Sequence, residues 1–344
     1  MRAVVGGFRP TGGGWAAIAA LATACAGFAA RADFALDDID ASPPWTSYAL
    51  VESLVVGRDN QSADQPLISE VGAADNVLLA TPALQFPFGG GLRAFVGRRA
   101  PDLHGWEIGY TGLYGQTASA SAATSGTTFL EAPGPLGFQL SSASQLATVT
   151  WSSTITSVEA NAFRTATGPD ARGTGRWTVD WLAGFRYLGV EESATIDILC
   201  CAGDGPSVPY RVATSNNLFG GQLGTRARLD RERWAFEGWA KAGLLGNAQT
   251  LRQPAVVDWL GYEQRPAATA SGSETAVVGD LNASVIYRLS EAWGLRAGYN
   301  TIWIGGVALA PDQFTFGMDG PRDTIAGGGG IFLHGANLGL EARW

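Results

Sequence analysis

The chain ends in Ala336-Asn-Leu-Gly-Leu-Glu-Ala-Arg-Trp344, a stretch in which two kinds of position alternate strictly. The apolar positions are Ala336, Leu338, Leu340, Ala342 and Trp344, and between them lie Asn337, Gly339, Glu341 and Arg343. Because successive side chains of a β-strand point to opposite faces, the pattern predicts a strand that is apolar on one face and charged on the other. A surface strand of a soluble β protein has the same pattern, so the other segments of the chain have to distinguish the two possibilities.

The composition favours a β protein without helical membrane spans. At 344 residues the chain is long enough for one large all-β domain or for two ordinary domains. Beyond the N-terminus it has no run of about 18 apolar residues, which excludes a transmembrane helix. A transmembrane β-barrel needs no such run, because only alternate residues meet lipid. The 12 Trp and 8 Tyr suit the aromatic girdles of such a barrel, although they also suit the core of a soluble β protein.

Residues 1–32 have the pattern of a secretory signal peptide. Arg2 and Arg9 make the start positive, residues 15–28 form a short apolar segment, and Ala30-Arg-Ala32 is a small-x-small cleavage site. We expect residues 33–44 to be a short acidic periplasmic lead-in and residues 45–344 to form the main domain. The whole chain has a formal net charge of −8, and removal of the signal peptide makes it more acidic. Such an exported protein is a poor candidate for nucleic-acid binding.

Ten segments have the alternation that is expected of strands. The clearest internal example has Trp, Val, Trp, Phe and Tyr at positions 177, 179, 181, 185 and 187, separated mostly by small and polar residues. The ten predicted strands cover residues 45–58, 88–98, 106–114, 145–164, 177–198, 216–229, 234–249, 277–289, 293–302 and 331–344.

The links between these strands alternate in length. Short links lie at 99–104, 169–175, 230–233 and 290–293, and long links lie at 59–85, 117–143, 199–215, 251–273 and 305–329. Outer-membrane barrels have short periplasmic turns and longer extracellular loops, whereas a soluble sandwich has no reason to sort its loops in this way. The chain is therefore predicted to be an all-β protein, a closed antiparallel transmembrane β-barrel of about 10 strands (8–12), in the bacterial outer membrane.

The C-terminus is similar to the terminal sorting signal of bacterial outer-membrane barrels. The matching residues are polar Asn337, Gly339, apolar Ala342 and aromatic Trp344. The resemblance implies that the barrel-assembly machinery of the outer membrane recognises the chain during its biogenesis.

Several segments resemble the putative beta-barrel porin-7 family of bacterial outer-membrane proteins. The matching segments are 179–188, 217–224, 281–289, 295–300 and 336–344, which together span roughly half of the chain in the order the family would have them. Two positions depart from the family pattern: Trp344 stands where Phe is expected, and Asp280 stands where Glu is favoured. The resemblance implies a membrane barrel far more firmly than it implies transport.

With the apolar face of each strand assigned to lipid, the charged positions point into the lumen. The expected bases are Arg93, Arg186, Arg226, Arg228, Lys241, Arg288, Arg296 and Arg343. The expected acids are Glu52, Glu107, Glu159, Asp180, Glu237, Asp280 and Glu341. Because the two sets nearly balance, and because buried charges without partners destabilise a protein, we expect ion pairs across the interior.

Two functions are compatible with this lumen. The first is porin-like, limited passage of small solutes. The second is a closed structural or surface-interaction barrel with a charge-plugged lumen, because barrels near eight strands are filled by side chains. The expected partners are outer-membrane lipid, the assembly machinery and, for the first function, small solutes.

No catalytic residue, metal site or cofactor is predicted, and we expect no enzyme. His104 lies in a short link without an evident Ser or Cys partner. His334 has the parity of the lipid-facing residues near the outer interface, where an outer-membrane phospholipase would keep a His beside a Ser. Cys200 and Cys201 lie in an outer loop, and their adjacency strains a mutual disulfide. A link between neighbouring molecules and a pair of free thiols both remain open, whereas two cysteines with no His nearby do not suit a metal.

Overall fold

A computed structural model describes residues 47–125, 127–136, 144–170, 175–199, 207–258, 260–317 and 324–344. The predicted signal peptide, the acidic lead-in and the Cys200-Cys201 pair lie outside the described residues. Within the described ranges, no helix is long and apolar enough to cross a membrane.

The described chain is built almost entirely from strands. They are β1 (Ser47–Gln61), β2 (Pro66–Glu70), β3 (Ala73–Ala80), β4 (Phe86–Arg99), β5 (His104–Ala123), β6 (Leu130–Glu131), β7 (Leu146–Pro169), β8 (Gly175–Leu199), β9 (Ser207–Arg231), β10 (Trp234–Gln253), β11 (Val256–Val257), β12 (Glu263–Arg265), β13 (Ala268–Arg288), β14 (Trp293–Val307) and β15 (Gly329–Arg343). Two single-turn 3-10 helices lie at Thr81–Ala83 and Pro311–Gln313.

Ten of these strands form a closed antiparallel barrel in the order β1-β15-β14-β13-β10-β9-β8-β7-β5-β4. The barrel closes because β1 pairs with β15 on one side and with β4 on the other. The remaining strands form a three-stranded sheet, β3-β2-β6, and a two-stranded sheet, β11-β12, within the loops. The prediction of a closed antiparallel barrel of about ten strands is confirmed.

Three barrel strands extend much farther than the sequence pattern predicted. β5 continues to Ala123, β9 begins at Ser207 and β13 begins at Ala268. The loops predicted at 117–143, 199–215 and 251–273 are shorter for this reason. In these extensions the apolar residues point into the barrel, opposite to their direction in the predicted strands. On β9, for example, Val208, Tyr210 and Val212 point inward, and the residues between them are exposed or half-buried.

Strand β8 shows how the polarity reverses along the barrel. Near the start of β8, the apolar residues Trp181 and Phe185 point outward and are 50% and 53% exposed. Farther along the strand the charged Glu191 is exposed, whereas the apolar Val190 and Ile196 are fully buried. At about 3.3 Å per residue, the 25 residues of β8 extend for about 80 Å, far more than a tilted strand needs to cross about 25 Å of hydrocarbon. The barrel therefore has a lipid-facing membrane half and a water-facing outer half.

The membrane half carries aromatic residues at both edges of its lipid-facing surface. At the edge beside the short links, which we call the periplasmic edge, the exposed aromatics are Trp106, Trp234, Trp293 and Trp344. At the opposite edge, which we call the outer edge, they are Phe88, Tyr114, Phe219 and Tyr299. On β5, the interval between Trp106 and Tyr114 matches the roughly nine residues that a tilted strand needs to cross a bilayer. These two rows correspond to the interfacial girdles of membrane barrels.

The outer half has a hydrophobic interior. Inward residues such as Trp151 pack with side chains that the loops insert, including Leu67 and Ile68 of β2 and Leu309 and Phe314 of the segment 308–316. Above the bilayer the outward face meets water, so the burial of apolar side chains inside becomes favourable, as in a soluble protein.

Candidate functional site

The inward side chains of the membrane half form the candidate site, which we call the charged lumen. The structure places all fifteen predicted charges on this inward side, and thirteen of them are nine-tenths buried or nearly so. Arg343, with a side chain that is 12% exposed, and Arg288, at 36%, lie at the periplasmic mouth. The charged lumen is therefore a buried ionic core rather than a water-lined channel.

Glu107 of β5 is the centre of one cluster. Its Oε2 accepts hydrogen bonds from Arg226 Nη1 at 2.6 Å and from Tyr48 OH at 2.5 Å, and its Oε1 lies 3.2 Å from Lys241 Nζ. Lys241 also lies 3.0 Å from Glu159, so one ammonium joins two carboxylates. The four strands that supply these charges, β5, β7, β9 and β10, are thereby linked across the lumen.

Arg296 of β14 is the centre of a second cluster and is 0% exposed. Its Nε lies 2.7 Å from Glu52 of β1, and its Nη1 lies 2.7 Å from Glu237 of β10. Glu52 also accepts a hydrogen bond from Asn337 at 2.7 Å. Such charge-assisted bonds are stronger than neutral ones, and they replace water as partners of Arg296, Glu237 and the Oε1 atom of Glu52.

A third layer lies closer to the outer half. Arg186 bridges Glu159 at 3.2 Å and Asp280 at 3.1 Å. Arg93 hydrogen-bonds to Asn300, and its guanidinium lies over the Trp239 ring, 5.2 Å from the centroid. The basic side chains here are held by carboxylates, amides and aromatic faces, and this leaves little room for a solute.

The periplasmic mouth is closed by a further group of ion pairs. Arg228 contacts Glu341 at 2.9 Å, Glu237 at 3.1 Å and Asp230 at 2.9 Å. Arg288 reaches the same Asp230 at 2.5 Å, whereas Arg343 lies 3.1 Å from Glu341. The mouth is thus sealed by side chains from β9, β10, β13 and β15.

Small spaces lie between the described side chains of the lumen, and two of them adjoin the ion pairs. One of about 20 Å³ lies at the mouth, between Asp180, Arg226 and Glu341. The other, also of about 20 Å³, lies between Arg186, Asp280 and the first apolar layer above them. Each has room for about one water molecule.

Comparisons with known proteins place this barrel in a family. The family model described as Putative beta barrel porin-7 (BBP7) matches residues 51–344. The chain belongs to this family. No curated protein matches its sequence.

Solved structures similar to this porin-7 family chain are outer-membrane barrels. The outer membrane protease OmpT from Escherichia coli matches with a TM-score of 0.52 and 8% identity, over 89% of this chain and 99% of that one. The Pseudomonas putida toluene transporter TodX matches with a TM-score of 0.24 and 11% identity, over 88% and 90% of the two chains. The translocator domain of the autotransporter NalP from Neisseria meningitidis matches with a TM-score of 0.23 and 11% identity, over 95% and 98%. Of these three matches only the one to OmpT has a TM-score above 0.5, and at 8% identity it shows similarity of the fold alone. The family and the fold together point to the bacterial outer membrane.

Two lumen residues of this porin-7 family chain were missed by sequence reasoning. Arg99 was assigned to a turn, yet it lies 2.8 Å from Asp180 inside the barrel. Tyr48 lies in a strand with poorly separated faces, yet its hydroxyl donates to Glu107. The alternation of a strand identifies both positions as inward. Arg99 lies an even number of residues from Arg93 on β4, and Tyr48 lies an even number of residues from Glu52 on β1.

A buried ion pair in the outer half was also missed. Arg58 of β1 pairs with Glu192 of β8, and both side chains are fully buried among apolar residues. The Arg58 guanidinium lies over the rings of Phe86 and Trp151, at 4.5 and 5.0 Å from their centroids. The alternation of β8 places Glu192 on the same inward face as Arg186. Its pairing with Arg58 of β1 depends on closure of the barrel, which brings the two strands to opposite sides of one lumen.

The segment 308–316, which we call the plug segment, folds into the outer half and is held there by hydrogen bonds. The Ala310 N–H donates to Glu192 at 2.9 Å, and the Ala308 N–H donates to Asn216 Oδ1 at 2.7 Å. The Tyr210 hydroxyl donates to the Thr315 carbonyl at 3.0 Å. The sequence predicts an outer loop for these residues, and no local pattern indicates that they fill the lumen.

The two histidines lie away from the charged lumen. His334 faces outward beside Phe88 and Phe332, and its Nδ1 lies 2.8 Å from the Tyr299 hydroxyl. His104 lies 3.3 Å from Asp102 in an exposed turn. In the described part of the chain, no group of three or more His, Cys, Asp and Glu side chains is arranged to hold a metal ion.

Proposed function

We propose that this chain is a closed outer-membrane barrel, whose membrane half anchors it and whose outer half presents a folded body at the cell surface. The observation that carries the proposal is the filling of the lumen along its height. Ion pairs fill the membrane half, and apolar side chains with the inserted plug segment fill the outer half. This function corresponds to the structural or surface-interaction barrel that the charge balance also favours.

The energetics of the lumen support closure. A solute that crossed the membrane half would have to separate pairs such as Lys241–Glu159 and Arg296–Glu52. Removing one partner of a buried pair costs about 3–5 kcal/mol, because the other charge stays buried. Porins conduct through lumens that stay water-filled, whereas the two spaces described above each have room for only about one water molecule.

Limited passage of small solutes is a second candidate, and the plug segment is the observation that favours it. This segment is a connection between β14 and β15 rather than part of the barrel wall. Release of the plug segment would open the outer half. In the membrane half the ion pairs would still have to separate, and the two water-sized spaces lie beside these pairs. On this alternative, conduction requires two separate movements.

We propose no enzymatic activity for this chain. OmpT is a protease, but at 8% identity its similarity concerns the fold alone. The hydrogen bond of His334 is made to Tyr299, on the lipid-facing side and outside the lumen. Membership of the porin-7 family is consistent with a barrel that has no catalytic role.

Single-channel recording in planar bilayers tests the proposal. The wild-type barrel is compared with an opened variant that carries Glu107→Ala, Glu159→Ala and Lys241→Ala and lacks the plug segment, after circular dichroism and heat-modifiability have established that both are folded. We expect no conductance steps from the wild type and steps from the opened variant. Steps from the wild type would refute the closed barrel and support limited passage.

A further inference from the structure

A polar groove lies on the outer wall of the outer half, and most of its lining residues face outward. Its volume is about 470 Å³, and it is lined mainly by strands β7 to β10. Its hydroxyl-bearing floor comprises Ser152, Thr154, Ser193, Ser215 and Thr250. These small side chains point away from the apolar interior, and all are half-buried, as expected for the floor of a concave surface.

Two arginines lie at one end of the groove. Arg211 of β9 and Arg252 of β10 are both exposed, and the Arg211 Nε donates a hydrogen bond to Ser193 Oγ at 2.9 Å. Arg252 lies opposite Ala213, two residues from Arg211 on the same face, so the two arginines are diagonal cross-strand neighbours. Side chains in this relation lie within about 7–8 Å of each other.

The charges of the groove are separated along its length. Arg211 and Arg252 form no ion pair with any described residue, whereas Glu191 lines the opposite, membrane-side end, across from Ser215. The other lining carboxylate, Glu192, points inward and pairs with Arg58. The guanidinium pair is thus available to an anion, and the carboxylate and hydroxyls are available to the hydroxyls of a sugar. Guanidinium groups suit phosphate because their planar N–H donors match its oxygens.

The height of the groove above the lipid follows from strand β9. Phe219 marks the outer girdle on this strand, and Ser215 and Arg211 follow toward the outer end. At about 3.3 Å per residue along a strand tilted by about 40°, Ser215 lies about 10 Å and Arg211 about 20 Å above the girdle. The headgroup region of an ordinary bilayer extends only about 5–8 Å beyond the hydrocarbon, so a lipid reaches this height only if its headgroup is larger, as a sugar headgroup is.

We propose that the groove binds the phosphorylated sugar headgroup of a glycolipid in the outer leaflet. The hydroxyl floor hydrogen-bonds the sugar, and Arg211 and Arg252 together hold a phosphate. The proposal concerns the outer wall of the barrel and is independent of whether the lumen conducts.

The experiment measures binding of purified deep-rough lipopolysaccharide to the full chain in detergent, by native mass spectrometry and titration. Arg211→Gln with Arg252→Gln should weaken binding by at least about tenfold, the effect of losing one or more charge-assisted hydrogen bonds. The matched control is Arg98→Gln with Arg164→Gln, which removes the same charge from exposed positions at the periplasmic end of the barrel wall. An undiminished affinity in the groove variant, an equal loss in the control, or no binding by the wild type would overturn the proposal.

Two further probes test the chemistry of the headgroup. Phosphatase-treated lipopolysaccharide should bind the wild type at least about tenfold more weakly, because the guanidinium pair then loses its anion. Phosphatidylglycerol, which has a phosphate but no sugar, should bind no differently to the wild type and the groove variant. If phosphatidylglycerol binds as tightly as lipopolysaccharide and with the same dependence on Arg211 and Arg252, the groove recognises charge alone and the sugar assignment is wrong.

Discussion

Replacement of Arg296 by Met tests whether the ion pairs of the lumen stabilise the barrel. Methionine fills a similar length of the interior without a charge. The substitution removes the 2.7 Å contacts to Glu52 and Glu237 and leaves both carboxylates buried in the membrane half. Because Arg296 is fully buried, water cannot replace it without a rearrangement of the lumen.

The expected magnitude follows from what each carboxylate retains. Removal of one partner of a buried ion pair costs about 3–5 kcal/mol. Glu52 keeps its hydrogen bond from Asn337 at 2.7 Å, and Glu237 keeps its contact with Arg228 at 3.1 Å. These remaining contacts place the expected loss near the lower limit, at about 3 kcal/mol in the free energy of unfolding.

Equilibrium urea unfolding of the refolded barrel in lipid vesicles, followed by tryptophan fluorescence, measures this loss. Arg164→Met is the matched control, because Arg164 is exposed on the outside and should change stability by no more than about 0.5 kcal/mol. Addition of Glu52→Gln to the Arg296→Met variant should recover at least about 1 kcal/mol, since the uncompensated carboxylate is then neutral. A loss below about 1 kcal/mol for Arg296→Met, or no recovery in the double variant, would refute the argument that these pairs hold the lumen together.

Three further predictions concern other parts of the barrel. Glu192→Ala leaves the Arg58 guanidinium without its carboxylate partner in the apolar outer half, and it removes the acceptor of the Ala310 N–H in the plug segment. The free energy of unfolding should therefore fall by about 3–5 kcal/mol in the same urea experiment. An unchanged midpoint would mean that the pair is not buried in the folded protein. Leu338→Arg, in the middle of the lipid-facing belt, should destabilise the barrel by about 2–4 kcal/mol. Ser119→Arg, on the outward face of the outer half and opposite the uncharged Thr150, should have almost no effect. Equal effects would contradict the position of the membrane. Trp344→Ala should lower the yield of folded barrel in outer-membrane fractions while refolding in vitro stays normal, and an equal defect in both would point to lost packing instead of lost recognition by the assembly machinery.

The sequence predicted the membrane half well because its physical signature is local. The alternation of Trp177, Trp181 and Phe185 with polar or small residues follows directly from the two faces of a strand. The parity of Arg93, Glu107 and the other charges identified the inward face, and all fifteen predicted charges lie there. The alternation of long and short links is also a local feature of the sequence. It follows from the structure of a membrane barrel, whose strands are joined by short turns at one membrane interface and by long loops at the other.

The outer half was predicted poorly because its polarity is reversed. Segments such as 207–215 have mostly apolar residues that point inward, and Ser, Pro, Arg and Ala residues that point outward. A search for a lipid-facing apolar stripe therefore assigns these segments to loops. The ion pair between Arg58 and Glu192 joins positions that are 134 residues apart. No local pattern distinguishes such a pair from two charges that face solvent.

The sequence by itself determined the ten strands, the direction in which each charged residue of the membrane half points, and the family. These features depend on the period of a strand and on the cost of placing charge in lipid, both of which act on neighbouring residues. Only the tertiary structure decided which charges pair, that the plug segment fills the outer half, and that an arginine-rimmed groove forms on the outer wall. Those features depend on closure of the barrel, which brings together side chains that lie far apart along the chain.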